Sequence, residues 1–431
     1  MKRVLIIAYY WPPSAGSGVQ RWLKFSKYLP QNGWQPVIYT PKNPDFSLKD
    51  EGLLKEVPPE AEVIKTEIWE PYQLGRKLFK RRKESSNSTG IVSDKKGGIK
   101  GYFSNWIRGN VFIPDPKVYW RKPSVDFLLD YLEKNPVDVI ISTGTPHSMH
   151  LIALDLKEKL GIPWIADFRD PWSELDMLKS YHILPLLMKR YKSLERKVLE
   201  ASDLSLTTSR VWADRFKELG AKNVEVITNG YDESDFQFEV KPYQQFVISH
   251  FGLLNHLRNP MNLWTALSEL CEEREDFRRD FGLHLGGIID PEILKQIQRF
   301  THLKSSLKVF DYLSHQEVIQ EYMKSSVLLL LLFNSESGVG NIPGKLFEYL
   351  AAQKNILGFG SGVGDSEQII KETGSGYYFG YKSEHYTVKE SIEKLYIASK
   401  KNAKVSKIGQ GIEHYSRSKL TEKLSVLLNK I

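Results

Sequence analysis

The stretch VLLLLLFNSESGVGNIPGKLFEYLAA, running from Val327 to Ala352, carries the pattern from which the fold is read. Val327 to Phe333 is continuously apolar, as expected of a strand buried on both faces of a parallel sheet. Gly338 and Gly340 break it into a loop. Pro343 and Gly344 then open a helix whose free backbone N–H groups and dipole attract phosphate. Lys345 adds a formal positive charge. Leu346, Phe347 and Leu350 are core positions. Glu348, near the end of the first turn, either stabilises the helix start or accepts the hydroxyls of a ribose.

The same strand–loop–helix unit recurs on both sides of this stretch. Val4 to Tyr10, Pro36 to Thr40, Glu62 to Thr66, Val137 to Ser142, Pro163 to Phe168 and Leu204 to Thr207 read as strands, with helical stripes between them. The helix His147 to Leu160 ends at Gly161, which suits a left-handed cap. After a break at about Thr228 to Tyr243 the alternation restarts, with strands at Phe246–Phe251, Phe281–Leu285, Leu307–Phe310, Val327–Phe333 and Asn355–Phe359. Two successive series of about 200 residues each imply an α/β protein with two doubly wound domains. Ligands in such sheets bind beyond the carboxyl ends of the strands, so a cleft between facing domains is expected.

Composition bounds the rest. The 431 residues are 41% hydrophobic, 12% aromatic and 26% charged, which describes a globular chain and excludes a disordered one. The lone cysteine, Cys271, excludes an internal disulfide or a zinc cluster, so a reducing, cytoplasmic setting is expected. The apolar runs are far shorter than the roughly 20 residues that span a bilayer. MKRVLIIAYYWPP imitates a secretion signal, but Trp11-Pro12-Pro13 stands where small residues of a cleavage site belong; it reads as a first strand.

The net charge is +8, and nine Lys/Arg against Glu84 and Asp94 between Arg76 and Lys100 supply +7 of it. Such confinement to one polar insert speaks against binding of nucleic acid, which is met by charge spread over a folded face. The segment from Glu84 to Lys100 has the composition of a disordered chain. The insert is either a solvated loop or a contact for anionic lipid or an anionic acceptor. Trp69, Tyr72, Leu78 and Phe79 interleave with its charges, and Tyr102, Phe103, Trp106 and Ile107 follow, so residues 69–107 are the expected membrane-facing segment.

Three further groups carry chemistry. Gly16 and Gly18 lie between the first strand and first helix, where glycines admit a ligand to the backbone; they also suit a plain turn. Arg21 stands where the third glycine of a dinucleotide motif belongs, and Tyr39-Thr40-Pro41 where an acidic residue would hold a ribose. His147, with His150 one turn on, follows the strand ending at Ser142. Asp167, Arg169 and Asp170 end the strand Pro163–Phe168, either as a salt-bridge knot or as acceptor-binding groups.

NIPGKLFEYLAA with NILGFGSGVGDSEQIIKETGSGYYF after it resembles the nucleotide-sugar half of family 4 glycosyltransferases, retaining enzymes of the GT-B fold. VEVITNGYDESDF, SHFGLLNHLRNPMNLWTAL, VFDYLSHQEV and EHYSRSKLTEKLSVLL resemble further family segments in the family's order. TGTPHSMHLIAL followed by WIADFRDPW resembles one bacterial branch. The resemblance implies two Rossmann-like domains facing a central cleft: 1–230 on the acceptor side, with an insert at about 68–122, and 231–408 for the nucleotide sugar. A helix in 409–431 would cross back to the first domain.

The resemblance also implies roles. Glu348 matches the second glutamate of a family pair and would bind the donor ribose. Gly340 stands at the first, so the N–H groups of Asn341 and Ile342 would replace part of its contact. Arg258 and Lys345, with the N–H of Gly344, would share the diphosphate charge. Leu253 replaces the family arginine, and Asn259 stands at the family lysine position. Tyr312 lies in the loop that reads the base, Gly16 and Gly18 in the donor-side loop, and His147 would face the donor sugar. No metal and no cofactor are implied. The expected activity is sugar transfer from a nucleoside diphosphate to a hydroxyl of a surface glycan or lipid-linked precursor. A 2-epimerase of the same fold, or a degenerate binding subunit, is the alternative.

Overall fold

A computed structural model describes residues 1–46, 48–70, 99–401 and 411–431. The basic residues Arg76 to Lys83, Lys95 and Lys96, and the apolar residues Tyr72, Leu78 and Phe79 among them, lie outside the described residues. The chain forms two compact units. One comprises Met1–Thr228 with Arg417–Ile431, the other Asn229–Ser416. No described helix is long and apolar enough to cross a membrane.

The first unit is built on strands β1 (Lys2–Ile7), β2 (Trp34–Pro41), β3 (Glu62–Thr66), β4 (Val139–Thr143), β5 (Trp164–Arg169), β6 (Leu204–Thr207) and β7 (Val224–Val226). They pair in the order β3-β2-β1-β4-β5-β6-β7, every pair parallel. In β1, Val4 and Ile6 pack toward Trp22, Phe25, Leu420 and Leu424, while Leu5 and Ile7 pack toward Leu128, Leu151 and Leu154. Side chains alternate across a strand, so a strand covered on both sides has no polar face. The apolar N-terminus is this central strand. The last helix, Arg417–Lys430, lies against the first, Ser17–Tyr28, through Leu420, Leu424 and Leu428.

The second unit repeats the plan with β8 (Phe246–Phe251), β9 (Phe281–Gly286), β10 (Leu307–Phe310), β11 (Val327–Leu331), β12 (Asn355–Gly360) and β13 (Gly376–Gly380). Their order is β10-β9-β8-β11-β12-β13, again all parallel. Val327, Leu329 and Leu331 face one layer, Leu328, Leu330 and Leu332 the other. Each sheet reverses its direction of build once, at β1/β4 and at β8/β11. Loops leave such a point in opposite directions and open a crevice at the strand ends.

Candidate functional site

The crevice of the second unit lies at the ends of β8 and β11. The helix Gly344–Ala351 begins there behind Pro343, with no side chain capping it. Lys345 Nζ donates to the Phe251 carbonyl at 3.0 Å. Its ammonium lies where a side chain on Gly252 would start, since a Cβ there would stand 2.2 Å from Nζ. Burial, with Arg258 nearby, pushes the Lys345 ammonium down to about 8. Arg258 stacks on Phe333, its guanidinium carbon 3.9 Å from the ring centroid. Its Nε is buried without a partner, and burial brings its pKa down to about 10. The site therefore holds two cations that repel one another, with neither in a salt bridge among the described residues and the Glu348 carboxylate only partly offsetting the charge of Lys345. His250 stays neutral beside them, lowered to about 3 by burial and by Lys345. Glu348, three residues after Lys345 and so on its side of the helix, is 3.1 Å from His315 Nε2.

Lys345, Arg258, Gly344 and Glu348 thus come together. One expectation meets a different geometry. The Asn341 N–H donates to the Gly338 carbonyl at 3.3 Å, closing the turn, so it is not available to a ligand. The Ile342 side chain is buried, and its carbonyl accepts from Asn229. Tyr312 sits between β10 and the helix His315–Lys324, with a side chain 81% exposed. Asn259 is taken up structurally, accepting from Trp264 Nε1 at 2.8 Å and donating to Gln296 at 2.9 Å.

In the first unit the crevice is organised by a knot. Asp167 is fully buried. Its carboxylate accepts from Arg21 Nε (3.1 Å) and Nη2 (3.0 Å), Trp22 Nε1 (2.8 Å) and Thr143 Oγ1 (3.0 Å). Burial alone would raise its pKa; the charges of Arg21 and Arg169 and these hydrogen bonds hold it below the usual carboxylate value. With its oxygens enclosed and engaged, Asp167 is not an acceptor-binding group. Arg169, at a backbone φ of 66°, donates Nη2 to the Gly18 carbonyl (3.1 Å) and to Thr143 Oγ1 (3.2 Å). Its Nε is buried without a hydrogen-bond partner, 3.8 Å from Asp167 Oδ2. Asp170, next along, is half-buried, and burial raises its pKa. Gly16 takes a φ of 99°, the conformation that calls for glycine.

His147 and His150 are both buried, at the start of the helix Ser148–Leu160. Burial keeps both neutral, His147 far below its ordinary value and His150 at about 3. Both nitrogens of His147 and Nε2 of His150 lack partners. The two rings close on Gly144, where a Cβ would stand 2.7 Å from His147 Nδ1 and 2.9 Å from His150 Nε2. Asp115 caps this helix, accepting from the Ser148 N–H and Oγ at 2.8 Å each, so the helix start is already neutralised. Among the described residues no group of three His, Cys, Asp or Glu side chains is arranged to hold a metal.

Residues 92–235, which contain Thr143, Asp167, Arg169 and both histidines, match the model of Glycosyltransferase Family 4. Over that third of its length the chain is similar to the family 4 glycosyltransferases. No match emerges among curated proteins by sequence. The fold agrees with that of solved GT-B enzymes. A glycosyltransferase from Rickettsia africae ESF-5 is 14% identical, with a TM-score of 0.63 over 100% of this chain and 98% of that one. Anabaena HepE, solved in complex with UDP, is 13% identical, with a TM-score of 0.65 over the whole of both chains. The sucrose-phosphate synthase of Thermosynechococcus elongatus is 12% identical, with a TM-score of 0.63 over 100% and 99%.

Two residues of these sites escape a reading by motif. Arg21 registers in the sequence only as a missing glycine, yet it is the main partner of Asp167. His315 lies inside VFDYLSHQEV without a pattern of its own. Only its place at the first position of a helix capped by Ser314 and Glu317 hints that its direction is fixed.

Proposed function

We propose that this protein is a glycosyltransferase that takes its sugar from a nucleoside diphosphate, with retention of configuration and without a metal. The acceptor in this reading is a hydroxyl of a surface glycan or lipid-linked precursor at the inner face of the cell membrane. One observation carries the donor reading: Lys345 and Arg258, two half-buried cations with no salt-bridge partner among the described residues, stand at the uncapped start of the helix that bears Glu348. When the bond from the anomeric carbon to the β-phosphate oxygen breaks, its electron pair stays on the diphosphate. The acceptor oxygen forms the new bond and loses its proton. Fixed cations and backbone N–H groups stabilise the charge that grows on the leaving group, most strongly where water is excluded. Glu348 suits the two ribose hydroxyls. The Anabaena relative was solved with UDP, so uridine is the base to try first.

Thermal shift tests this directly, because a ligand that binds only the native state raises its stability. UDP should raise the melting temperature with chelator present, and UMP much less. Equal shifts for both, or a shift only with added divalent metal, overturns the reading. Incubation with UDP-sugars and no acceptor separates transfer from epimerisation: slow release of free sugar fits the former, an epimeric nucleotide sugar the latter.

A further inference from the structure

The helix Ile99–Val111 turns an apolar stripe outward. Phe103, Ile107 and Val111 recur every four residues and so share one side. All three are exposed, Phe103 to 57%, and Tyr102 beside them is exposed as well. The inner side is already filled. A Cβ on Gly109 would stand 2.6 Å from the Tyr181 Cβ, and Tyr191 Oη donates to the Gly109 carbonyl at 3.0 Å. The outward stripe is therefore not a face waiting for the core of this unit.

Asn110 fixes what lies alongside. Its Oδ1 accepts the Leu184 N–H at 2.8 Å, which brings the segment leading into the helix Pro185–Ala201 against the stripe-bearing helix. Leu184 and Leu186 are exposed there, Leu186 to 75%. Lys189 and Arg190 stand three and four residues after Leu186, on its side of the helix, and Lys192, Arg196 and Lys197 continue along the exposed surface. Of the acids in this helix, Glu195 is turned inward onto the Trp172 and Ser173 N–H groups, which leaves Glu200. Exposed leucines and aromatic residues thus adjoin a strongly basic helix face.

We propose that this surface seats the protein on an anionic bilayer. The apolar side chains would enter the interfacial layer and the lysines and arginines would meet the lipid phosphates. Charge complementarity selects this occupant. A second copy would bring the same basic helix against itself, and an apolar partner would leave the charges unused. The surface consists of described residues and shares none with the donor site.

Flotation of the full chain with mixed phosphatidylglycerol–phosphatidylcholine vesicles, against phosphatidylcholine alone, tests the proposal at low and high salt. The wild type should float with the anionic vesicles at low salt only. Leu184→Ser with Leu186→Ser, and separately Lys189→Glu with Arg190→Glu, should each reduce partitioning roughly tenfold or more. The charge variant touches no core residue, so its folding is not at stake, and UDP thermal shifts should match the wild type in both. Undiminished flotation of both variants overturns the proposal. So does a wild type that ignores vesicles but self-associates in sedimentation, with the leucine variant monomeric.

Discussion

His315 Nε2 and Glu348 Oε1 lie 3.1 Å apart, joining the first turn of one helix to the second turn of another. The imidazole holds one carboxylate oxygen and leaves the other to a ligand. Its own direction is set by the capping box of Ser314 and Glu317. Glu348→Gln should weaken UDP binding by about 1.5–3 kcal/mol, the range for a hydrogen bond to a charged group. His315→Ala should cost less, about 0.5–1.5 kcal/mol, with Asn at 315 recovering part of it. Calorimetric titration of UDP reads both, and an unchanged affinity in His315→Ala would reduce the pair to a bystander.

The depressed Lys345 ammonium gives donor binding a pH dependence. A diphosphate binds the protonated amine, so affinity should fall as pH rises through about 8, approaching tenfold per pH unit. Apo stability runs the other way. The unfolded lysine keeps its proton to about 10.5, so this group's share of stability is fully present above that value and is lost as pH falls through about 8. In Lys345→Met both trends between pH 8 and 10 should flatten. UDP titrations and melts across that window decide it; a wild type with no alkaline loss of affinity refutes the assignment.

Asp167→Asn should be among the most destabilising single changes in the first unit, at about 3–5 kcal/mol, because it strands Arg21 beside Arg169 without a counter-charge. Replacing the pair together, Arg21→Met with Asp167→Leu, should cost less than Asp167→Asn alone. Urea unfolding of both variants provides the comparison. A double change at least as costly as Asp167→Asn would mean that the stranded Arg21 charge is not what makes the single change destabilising.

Gly144→Ala places a methyl group against two buried imidazole rings, closer than ordinary contact. The expected loss is about 1–3 kcal/mol, as for overpacking elsewhere in cores. Transfer activity should fall with it, since His147 must move. A melting temperature equal to that of the wild type would show that the histidines are less tightly held than their contacts with Gly144 indicate.

The sheets were largely legible because their central strands are buried on both faces and leave long apolar runs. Val327–Leu331 and Phe246–Phe251 are examples. Val224–Val226 was not, being three half-exposed residues at an edge, and Gly376–Gly380 hides between glycines. Lys345 announced itself through helix-start signals that are local in sequence, whereas Glu348 took the family resemblance to be read as more than a helix-stabilising acid. Partnerships across the fold carry no such signal. Arg21 and Asp167 are 146 residues apart, His315 and Glu348 are 33 apart, and neither spacing has a period to betray it.

The Asp167 knot reaches further than the charges it neutralises. Arg21 and Trp22 belong to the helix that follows the glycine loop, Thr143 to the end of β4, and Arg169 reaches back to the Gly18 carbonyl. One carboxylate thereby welds three strand-end segments into a single rigid piece. A loop of glycines is ordinarily among the costliest backbone to order around a guest. Here that ordering is completed during folding, so a ligand meeting Gly16 and Gly18 finds a preformed seat and keeps more of its contact energy as affinity.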